Sequence, residues 1–126
     1  MSERLTGVVV AHSELAASLL AAVRAIAGDE HGLVSVSNTG CDRAALLQSL
    51  EAAIGGRPAV VFSDMAGGSC AFTAAALARG RSDVKVVTGV NLAMLVDFAF
   101  HRDLPVEAAA RRAVEIGRAA VGMVER

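Results

Sequence analysis

Two residues stand out because their side chains could act together on a reacting group. His12 follows an apolar run that ends at Ala11, and Asp64 follows Ser63, which closes the mostly apolar segment from Ala59. A neutral imidazole attacks phosphorus through one ring nitrogen, and a carboxylate that accepts the proton of the other nitrogen fixes the tautomer and supports the positive charge that develops. The two residue types therefore predict a histidine that carries a phosphoryl group, provided that the fold brings them together.

A glycine turn follows Asp64 and adds groups suited to an anion. Gly67 and Gly68 let backbone amides approach a phosphate closely, and Ser69 offers a hydroxyl at the start of a predicted helix, whose N-terminus favours negative charge. Gly-Gly-Ser is also ordinary turn chemistry, and Asp64 would equally serve as a cap of that turn. The functional interpretation depends on these features occurring together at successive strand ends.

Three further residues are predicted at the rim of the same site. Ser13 follows the histidine and is also a candidate helix cap. Asn91 follows the turn at Gly89, where capping the next helix is the plainer interpretation. Cys70 lies at a predicted helix N-terminus, where the pKa of a thiol is often lowered, so a Cys-His-Asp hydrolase is a separate hypothesis. A small buried residue is the plainer alternative for Cys70.

The other candidate side chains lie in segments that predict no chemistry. His31 falls in a polar turn and is expected to be solvated. His101 ends a predicted helix, where a cation suits the dipole. Cys41 is expected to be an inert turn residue, and its spacing from Cys70 matches neither a CxxC motif nor a zinc site. We therefore predict reduced thiols and no metal.

Apolar runs rich in β-branched residues alternate with segments of helical periodicity. Strands are predicted at Thr6 to Ala11, Leu33 to Ser37, Ala59 to Ser63 and Asp83 to Thr88. Helices are predicted from Ser13 to Gly28, Asp42 to Ile54, Ser69 to about Leu77, Asn91 to Phe100 and Pro105 to about Val121. The inward face of the first helix is predicted to comprise Leu15, Leu19, Val23 and Ile26.

This order of elements predicts an α/β fold, an open and mostly parallel sheet with helices on both faces. We predict a flavodoxin-like three-layer sandwich with strand order 2-1-3-4, formed by residues 1–126 as one domain. Ligands of such sheets bind beyond the carboxyl ends of the strands, where the strand order reverses. That reversal lies between strands one and three, so His12 and Asp64 should meet there.

Composition narrows the possible partners. Of the 126 residues 54% are hydrophobic and only 3% aromatic, which suits an aliphatic core around parallel strands. The net charge is −1 and no basic block stands out, so nucleic acid is not an expected partner. No run approaches transmembrane length or resembles a signal peptide, so we expect a cytoplasmic protein without membrane insertion. No Tyr or Trp is available to stack on a flavin, and no cofactor is expected.

Three segments resemble the mannose-family enzyme IIA domain of the bacterial phosphoenolpyruvate-dependent sugar phosphotransferase system. Val8 to His12 resembles the strand that leads into the family's phosphorylated histidine. Asp64 to Ser69 resembles its Asp-x-x-Gly-Gly-Ser/Thr loop, and Gly89 to Leu95 resembles its Gly-Val-Asn-Leu-Pro-Met-Leu segment. A histidine followed by serine is also similar to the phosphotransfer subunit of dihydroxyacetone kinase, but the Gly-Val-Asn segment fits the mannose family better.

The resemblance implies that His12 accepts a phosphoryl group from the histidine-containing phosphocarrier protein and passes it to a IIB domain or subunit, which phosphorylates an incoming sugar. It implies that Asp64 hydrogen-bonds the imidazole nitrogen that is not phosphorylated. It also implies a homodimer, which in this family is often completed by a swapped C-terminal strand.

The departures from the family pattern concern the surroundings of the histidine. The family commonly has Gly-Thr-His-Gly where this chain has Val10 to Ser13, and usually has Pro, Phe and Asn where this chain has Cys70 to Phe72. Ala93 replaces the family's proline, and few residues follow the predicted last helix before Arg126. The altered loop motivates a second hypothesis, a regulatory phosphoryl switch without sugar transport. A purely structural or ligand-binding domain is a further alternative.

Overall fold

The computed structural model describes residues 4–125, in which strands and helices alternate before a final pair of helices. The strands are β1 (Thr6–Ala11), β2 (Leu33–Ser37), β3 (Ala59–Ser63) and β4 (Val84–Thr88). The helices are α1 (Leu15–Ala27), α2 (Arg43–Ile54), α3 (Ser69–Arg79), α4 (Leu92–Ala99) and α5 (Val106–Ala119). The domain predicted for residues 1–126 includes residues 1–3 and 126, which lie outside the described residues.

The sheet is parallel and open, with the order β2-β1-β3-β4. The predicted fold class and strand order are confirmed. Every residue of β1 is buried, because this strand lies inside the sheet and is covered on both faces, which explains its unbroken apolar run. Within residues 4–125, no helix combines the length and the apolar character needed to cross a membrane.

Helices cover both faces of the sheet, and β1 contributes side chains to each face in turn. Val9 and Ala11 belong to the core formed with α1, α4 and α5. Val8 and Val10 belong to the core formed with α2 and α3. This alternation is the period of two that a β-strand imposes, and it produces the three-layer sandwich.

The packing of α4 on β1 depends on Gly7. A Cβ atom at this position would lie 2.7 Å from the Phe98 ring and would collide with the side chain of Leu33. Phe98 in turn meets Phe62 of β3 edge to face, with 5.3 Å between the ring centroids. The absence of a side chain in the central strand thus lets an aromatic residue from the covering helix reach the sheet.

The inward face of α1 agrees in part with the predicted one, since Val23 is buried and Leu19 packs against the core as predicted. Ala16, Leu20 and Val23 are buried, whereas Leu15 and Ile26 are exposed. Because α1 is apolar around most of its circumference, its sequence contains two possible apolar stripes. Packing against the sheet selects the stripe that includes the small Ala16.

Some predicted helix caps are observed and others are wrong. Asn91 caps α4, as predicted, because its Oδ1 accepts the N–H of the residue three positions later at 3.1 Å. Ser13 and Ser69 are not caps, since Glu14 and Gly68 occupy the N-cap positions of α1 and α3 without side-chain cap hydrogen bonds. Other predicted element boundaries lie within two residues of the observed ones.

Candidate functional site

His12 and Asp64 lie at the ends of two neighbouring strands. His12 is the first residue after β1, and Asp64 is the first residue after β3. Because Val10 is opposite Ser63 in the parallel register, the two segments leave the sheet side by side where the strand order reverses. The structure therefore brings together the two residues whose types indicated chemistry.

A single carboxylate oxygen links Asp64 to His12 in two ways. Oδ2 accepts the backbone N–H of His12 at 3.0 Å and lies 2.7 Å from Nδ1 of its ring. Because an ionised carboxylate only accepts hydrogen bonds, the proton of the neutral ring resides on Nδ1 and the free lone pair on Nε2. The Asp64 side chain is 9% exposed and the His12 side chain 46%, so the carboxylate is held inside while the ring reaches solvent.

The carboxyl group of Asp64 is ionised despite its burial. Burial alone raises its pKa, but the hydrogen bonds from the backbone N–H and the ring of His12 outweigh that effect. The pKa of Asp64 therefore lies below its usual value of 3.8. At neutral pH the carboxylate is a constant acceptor for the Nδ1–H group.

The glycine turn places the N-terminus of α3 beside the imidazole. Gly68 has φ 94° and ψ 177°, a conformation open almost solely to glycine. A Cβ atom there would lie 3.7 Å from Cε1 and 3.9 Å from Nε2 of His12. The first intrahelical hydrogen bond runs from the Phe72 N–H to the Gly68 carbonyl, so the amides of Ser69 and Cys70 have no helical acceptor. Such amides suit an anion bound beside Nε2.

The remainder of this turn is exposed, and a hydrogen bond from the end of β3 fixes its start. Gly67 is exposed and, unlike Gly68, does not have a positive φ. The hydroxyl of the buried Ser63 donates to the carbonyl of Met65 at 2.9 Å, which fixes the chain as it leaves β3. The start of the turn is therefore fixed to β3, whereas Gly67 is open to solvent.

The chain after His12 is held by residues that the sequence did not indicate. Ser13 has φ 54° and is the one non-glycine residue with a positive φ among residues 4–125. Its N–H donates to Oδ1 of Asn38 at 3.4 Å, and its carbonyl accepts the Ser37 hydroxyl at 2.7 Å. Both partners lie at the end of β2. The predicted strand order could have indicated Ser37 and Asn38 as neighbours of this segment, because it places the end of strand two beside His12.

Cys70 lies close to Asp64 but lacks the properties of a nucleophile. It is fully buried, and burial together with the charge of Asp64 raises the pKa of its thiol. The thiol is protonated at neutral pH, so the structure does not favour the hydrolase hypothesis. One donor atom from each of His12, Asp64 and Cys70 lies within 4.8 Å of the other two, and these residues could hold a metal ion.

Asn91 is occupied within the fold at both ends of its amide. Its Oδ1 caps α4, and its Nδ2 donates to the carbonyl of Gly117 in α5 at 3.0 Å. The turn before it contains Gly89 with φ 74°. Asn91 therefore caps α4 and ties it to α5, which is the plainer of the two interpretations, and its place at the rim of the site stays a prediction.

The remaining histidines and Cys41 lie outside the cluster of His12, Asp64 and Cys70. The expectation that His31 is solvated is wrong, because it is buried and its Nδ1 accepts the N–H of Leu33 at 3.0 Å. His101 follows α4, and its Nδ1 lies 2.8 Å from the carbonyl of Asp97. Cys41 is partly exposed in the turn after β2.

The α/β fold and the cluster at its strand ends are shared with a known family. Residues 6–115 match the family EIIA-man, described as PTS system fructose IIA component. The match spans most of the chain, and the chain belongs to this family. A search of curated proteins gives no match.

Solved structures share the same fold at low sequence identity. The phosphotransferase system component EIIA from Streptococcus agalactiae is 21% identical, with a TM-score of 0.88 over 94% of this chain and 96% of that one. The mannose/sorbose specific IIA subunit from Enterococcus faecalis is 24% identical, with a TM-score of 0.88 over 98% and 97%. A sigma-54 interaction domain protein from Enterococcus faecalis is 12% identical, with a TM-score of 0.72 over 94% of each chain.

Family membership confirms the resemblance noted in the sequence. It gives the chain a phosphotransfer role in a sugar phosphotransferase system.

Proposed function

We propose that the chain carries a phosphoryl group on Nε2 of His12. It accepts this group from the histidine-containing phosphocarrier protein and passes it to a IIB component during sugar uptake. The observation that carries the proposal is the 2.7 Å contact between Nδ1 of His12 and Oδ2 of Asp64. That contact leaves Nε2 as the ring nitrogen with a free lone pair.

The reaction needs a nucleophile that tolerates a positive charge. As the bond between Nε2 and phosphorus forms, the bond between phosphorus and the donor's nitrogen breaks, and the His12 ring becomes cationic. Asp64 keeps the Nδ1 proton in place and stabilises that charge, so no proton has to leave the ring. Transfer to the IIB component reverses these changes at His12.

The phosphoryl group itself is negatively charged and needs donors. The turn formed by Gly67, Gly68 and Ser69 supplies them in this proposal. Its support is that Gly68 lies beside the imidazole, that the Ser69 amide has no helical acceptor, and that Ser69 is exposed in the same turn. Gly68 lacks a side chain at the place where the phosphoryl group would sit. The turn therefore binds the charged group without blocking its access to partners.

A carrier must keep its phosphoryl group from water until the acceptor arrives. Asp64 is an unsuitable base for water, since Oδ2 is engaged with His12 and the other oxygen is buried. The other carboxylate close to His12 in sequence, Glu14, is exposed at the N-cap position of α1, where we expect it to face solvent rather than the phosphoryl group. This arrangement favours a phosphohistidine that lives long enough to be transferred.

A homodimer in the cytoplasm belongs to the same proposal. β4 is an edge strand, and a groove of ≈ 390 Å³ lies between β4, the start of α4 and α5. Val121, Met123 and Val124 are exposed after α5. An open strand edge near an exposed apolar segment supports association, because the edge can pair with another strand and the apolar side chains gain by leaving water.

Sedimentation of the purified chain tests the dimer. We expect a dimer for the wild type and a monomer for the double variant Val121→Asp, Val124→Asp. Val34→Asp on β2, the opposite edge strand, is the matched control and should leave the dimer intact. A monomeric wild type at micromolar concentration contradicts this part of the proposal.

A regulatory switch is the second candidate function. The altered loop after Ser69 favours it, because Phe72 is exposed there beside the site and gives the partner surface a different character from the family pattern. Phosphorylation of His12 would be the same, but its output would be gene expression. A strain that carries only His12→Ala would then change its transcripts while sugar uptake stays normal.

Phosphorylation by purified components tests the leading proposal. With phosphoenolpyruvate, enzyme I and the phosphocarrier, intact-mass spectrometry should show one added phosphoryl group on the wild type and none on His12→Ala. His101→Ala, which lies outside the site, should be modified like the wild type. The proposal fails if the wild type stays unmodified or if His12→Ala is modified at the same rate.

A further inference from the structure

Asp64 has a second oxygen that its contact with His12 leaves unused. Oδ2 is engaged with His12, whereas Oδ1 is buried and has no hydrogen-bond partner among residues 4–125. The side chain is more than nine-tenths buried. Buried polar atoms are nearly always paired, and an unpaired charged oxygen is costly. Such an atom indicates a place for a ligand that brings positive charge.

Two other donors surround this carboxylate. One atom from each of His12, Asp64 and Cys70 lies within 4.8 Å of the other two. Zn²⁺ binds nitrogen and oxygen at about 2.0–2.2 Å and sulfur at about 2.3 Å, so ligand atoms around one ion lie roughly 3–4 Å apart. Closing the present cluster around an ion needs a shift of roughly 1 Å, which the exposed His12 ring can supply by rotation.

The types of the three donors indicate which cation would bind. Thiolate and imidazole ligands select zinc and related transition metals, whereas Mg²⁺ and Ca²⁺ require oxygen ligands. Three protein ligands leave a fourth tetrahedral position for water. The partly exposed ring of His12 provides the side from which an ion could enter.

We propose that His12, Asp64 and Cys70 form a binding site for Zn²⁺, with water as the fourth ligand. The three residues come from the ends of β1 and β3 and from the first turn of α3, so no local spacing in the sequence indicates the site. Binding releases the Cys70 thiol proton to solvent, and His12 must offer a ring nitrogen that carries no proton. If Nδ1 is the ligand, its proton moves to Nε2 through solvent; if Nε2 is the ligand, the ring turns and Nδ1 keeps its proton. Zinc also occupies the groups used for phosphoryl transfer and therefore blocks it, a consequence that rests on the proposed function.

Metal titration of the full, metal-free chain tests the site. In competition with a chromophoric chelator, the wild type should bind one Zn²⁺ and show a raised Tm. Co²⁺ should give the thiolate-to-metal charge-transfer absorption that reports a cysteine ligand. Cys70→Ser and Cys70→Ala should bind at least about tenfold more weakly and lose this absorption. Cys41→Ser is the matched control and should keep both properties.

His12→Ala is the further variant, because the exposed ring can be removed without opening the core, and it should also weaken Zn²⁺ binding at least about tenfold. The proposal is overturned if the wild type binds no stoichiometric metal, or if the Cys70 variants bind it as tightly. Binding lost in His12→Ala but retained without Cys70 also overturns the three-ligand site. Phosphorylation in chelator separates the two proposals: phosphorylation without metal binding overturns only the zinc site, and metal binding without phosphorylation overturns only the carrier function.

Discussion

Oδ2 of Asp64 accepts the backbone N–H of His12 at 3.0 Å and lies 2.7 Å from Nδ1 of the same residue's ring. The first contact fixes where the chain leaves β1, and the second fixes the tautomer of the imidazole. The position of His12 and the location of its ring proton therefore both depend on one oxygen atom of Asp64. A change at Asp64 should therefore affect both the placement of the nucleophile and its readiness to react.

Asp64→Asn should slow phosphoryl transfer to His12 by roughly 10²-fold or more. The amide can donate to Nδ1, which moves the ring proton to Nε2, and it has no charge to stabilise the cationic ring. Rapid-quench measurement with the phosphorylated phosphocarrier gives the rate. Asp29→Asn, which changes an exposed carboxylate paired with Arg24, should react like the wild type. Equal rates in the two variants would reduce Asp64 to a cap of its turn.

Gly68→Ala should slow the same reaction by roughly tenfold to a hundredfold, because the new methyl group would occupy the space beside Nε2. It should also cost about 1–3 kcal/mol of folding stability, since its backbone conformation suits glycine alone. Gly28→Ala is a close control, because Gly28 has φ 89° and ψ −178° and a Cβ there meets nothing within 4 Å. We expect a similar loss of stability in that control and normal transfer. A transfer defect of equal size in both variants would assign the effect to backbone strain.

The strands and their order could be predicted because parallel strands carry a strong signal. Strands that are covered on both faces are mostly apolar, so β1 and β3 contain the continuous runs Val8 to Ala11 and Ala59 to Phe62, although the buried Thr6 and Ser63 are polar. The regular alternation with helices then leaves few topologies. The meeting of His12 and Asp64 follows from those two facts, without any knowledge of side-chain geometry.

The remaining features depend on contacts between distant segments. Ser13 resembles a helix cap in sequence, yet hydrogen bonds with Ser37 and Asn38 hold it at a positive φ. The mannose-family IIA pattern has glycine at this position. His31 lies among polar residues in sequence and is buried in the fold. Cys70 reaches Asp64 only because α3 begins beside the end of β3. Local composition contains no record of such contacts, so these three interpretations needed the structure.

Ser13→Gly should leave stability unchanged or raise it by up to about 1.5 kcal/mol. The left-handed conformation costs a non-glycine residue about 1–2 kcal/mol, and glycine loses about 0.5–1 kcal/mol more in backbone entropy. The hydrogen bonds of Ser13 to Asn38 and Ser37 use its backbone and survive the change. Urea unfolding gives the free energies. Ser82→Gly is the control, because Ser82 lies in an exposed turn without a positive φ, and this variant should be less stable than the wild type. An equal loss of stability in Ser13→Gly would show that the φ of 54° at Ser13 carries no strain.

His31 should make the stability of the protein depend on pH. Burial, and then the charge of Arg24, lower the pKa of His31 below its usual value of 6.5; Arg102 adds to this effect and Asp29 opposes it. Its Nδ1 accepts the N–H of Leu33, so a proton on that atom would face another donor. The unfolded chain therefore binds a proton at higher pH than the folded chain does.

The sign of that dependence follows from linkage. Where the unfolded state binds more protons, stability rises with pH, so the contribution of His31 is fully present above about pH 6.5 and is lost as pH falls from there through its lowered folded-state pKa. His31→Asn keeps an acceptor for the Leu33 N–H but cannot titrate. At pH 8 residue 31 is uncharged in both the wild type and the variant, so urea unfolding at this pH measures how much free energy of unfolding the substitution itself removes. Between pH 7 and pH 5 the wild type should then lose more stability than the variant, and parallel profiles would show that His31 is protonated as easily in the folded protein as in the unfolded chain.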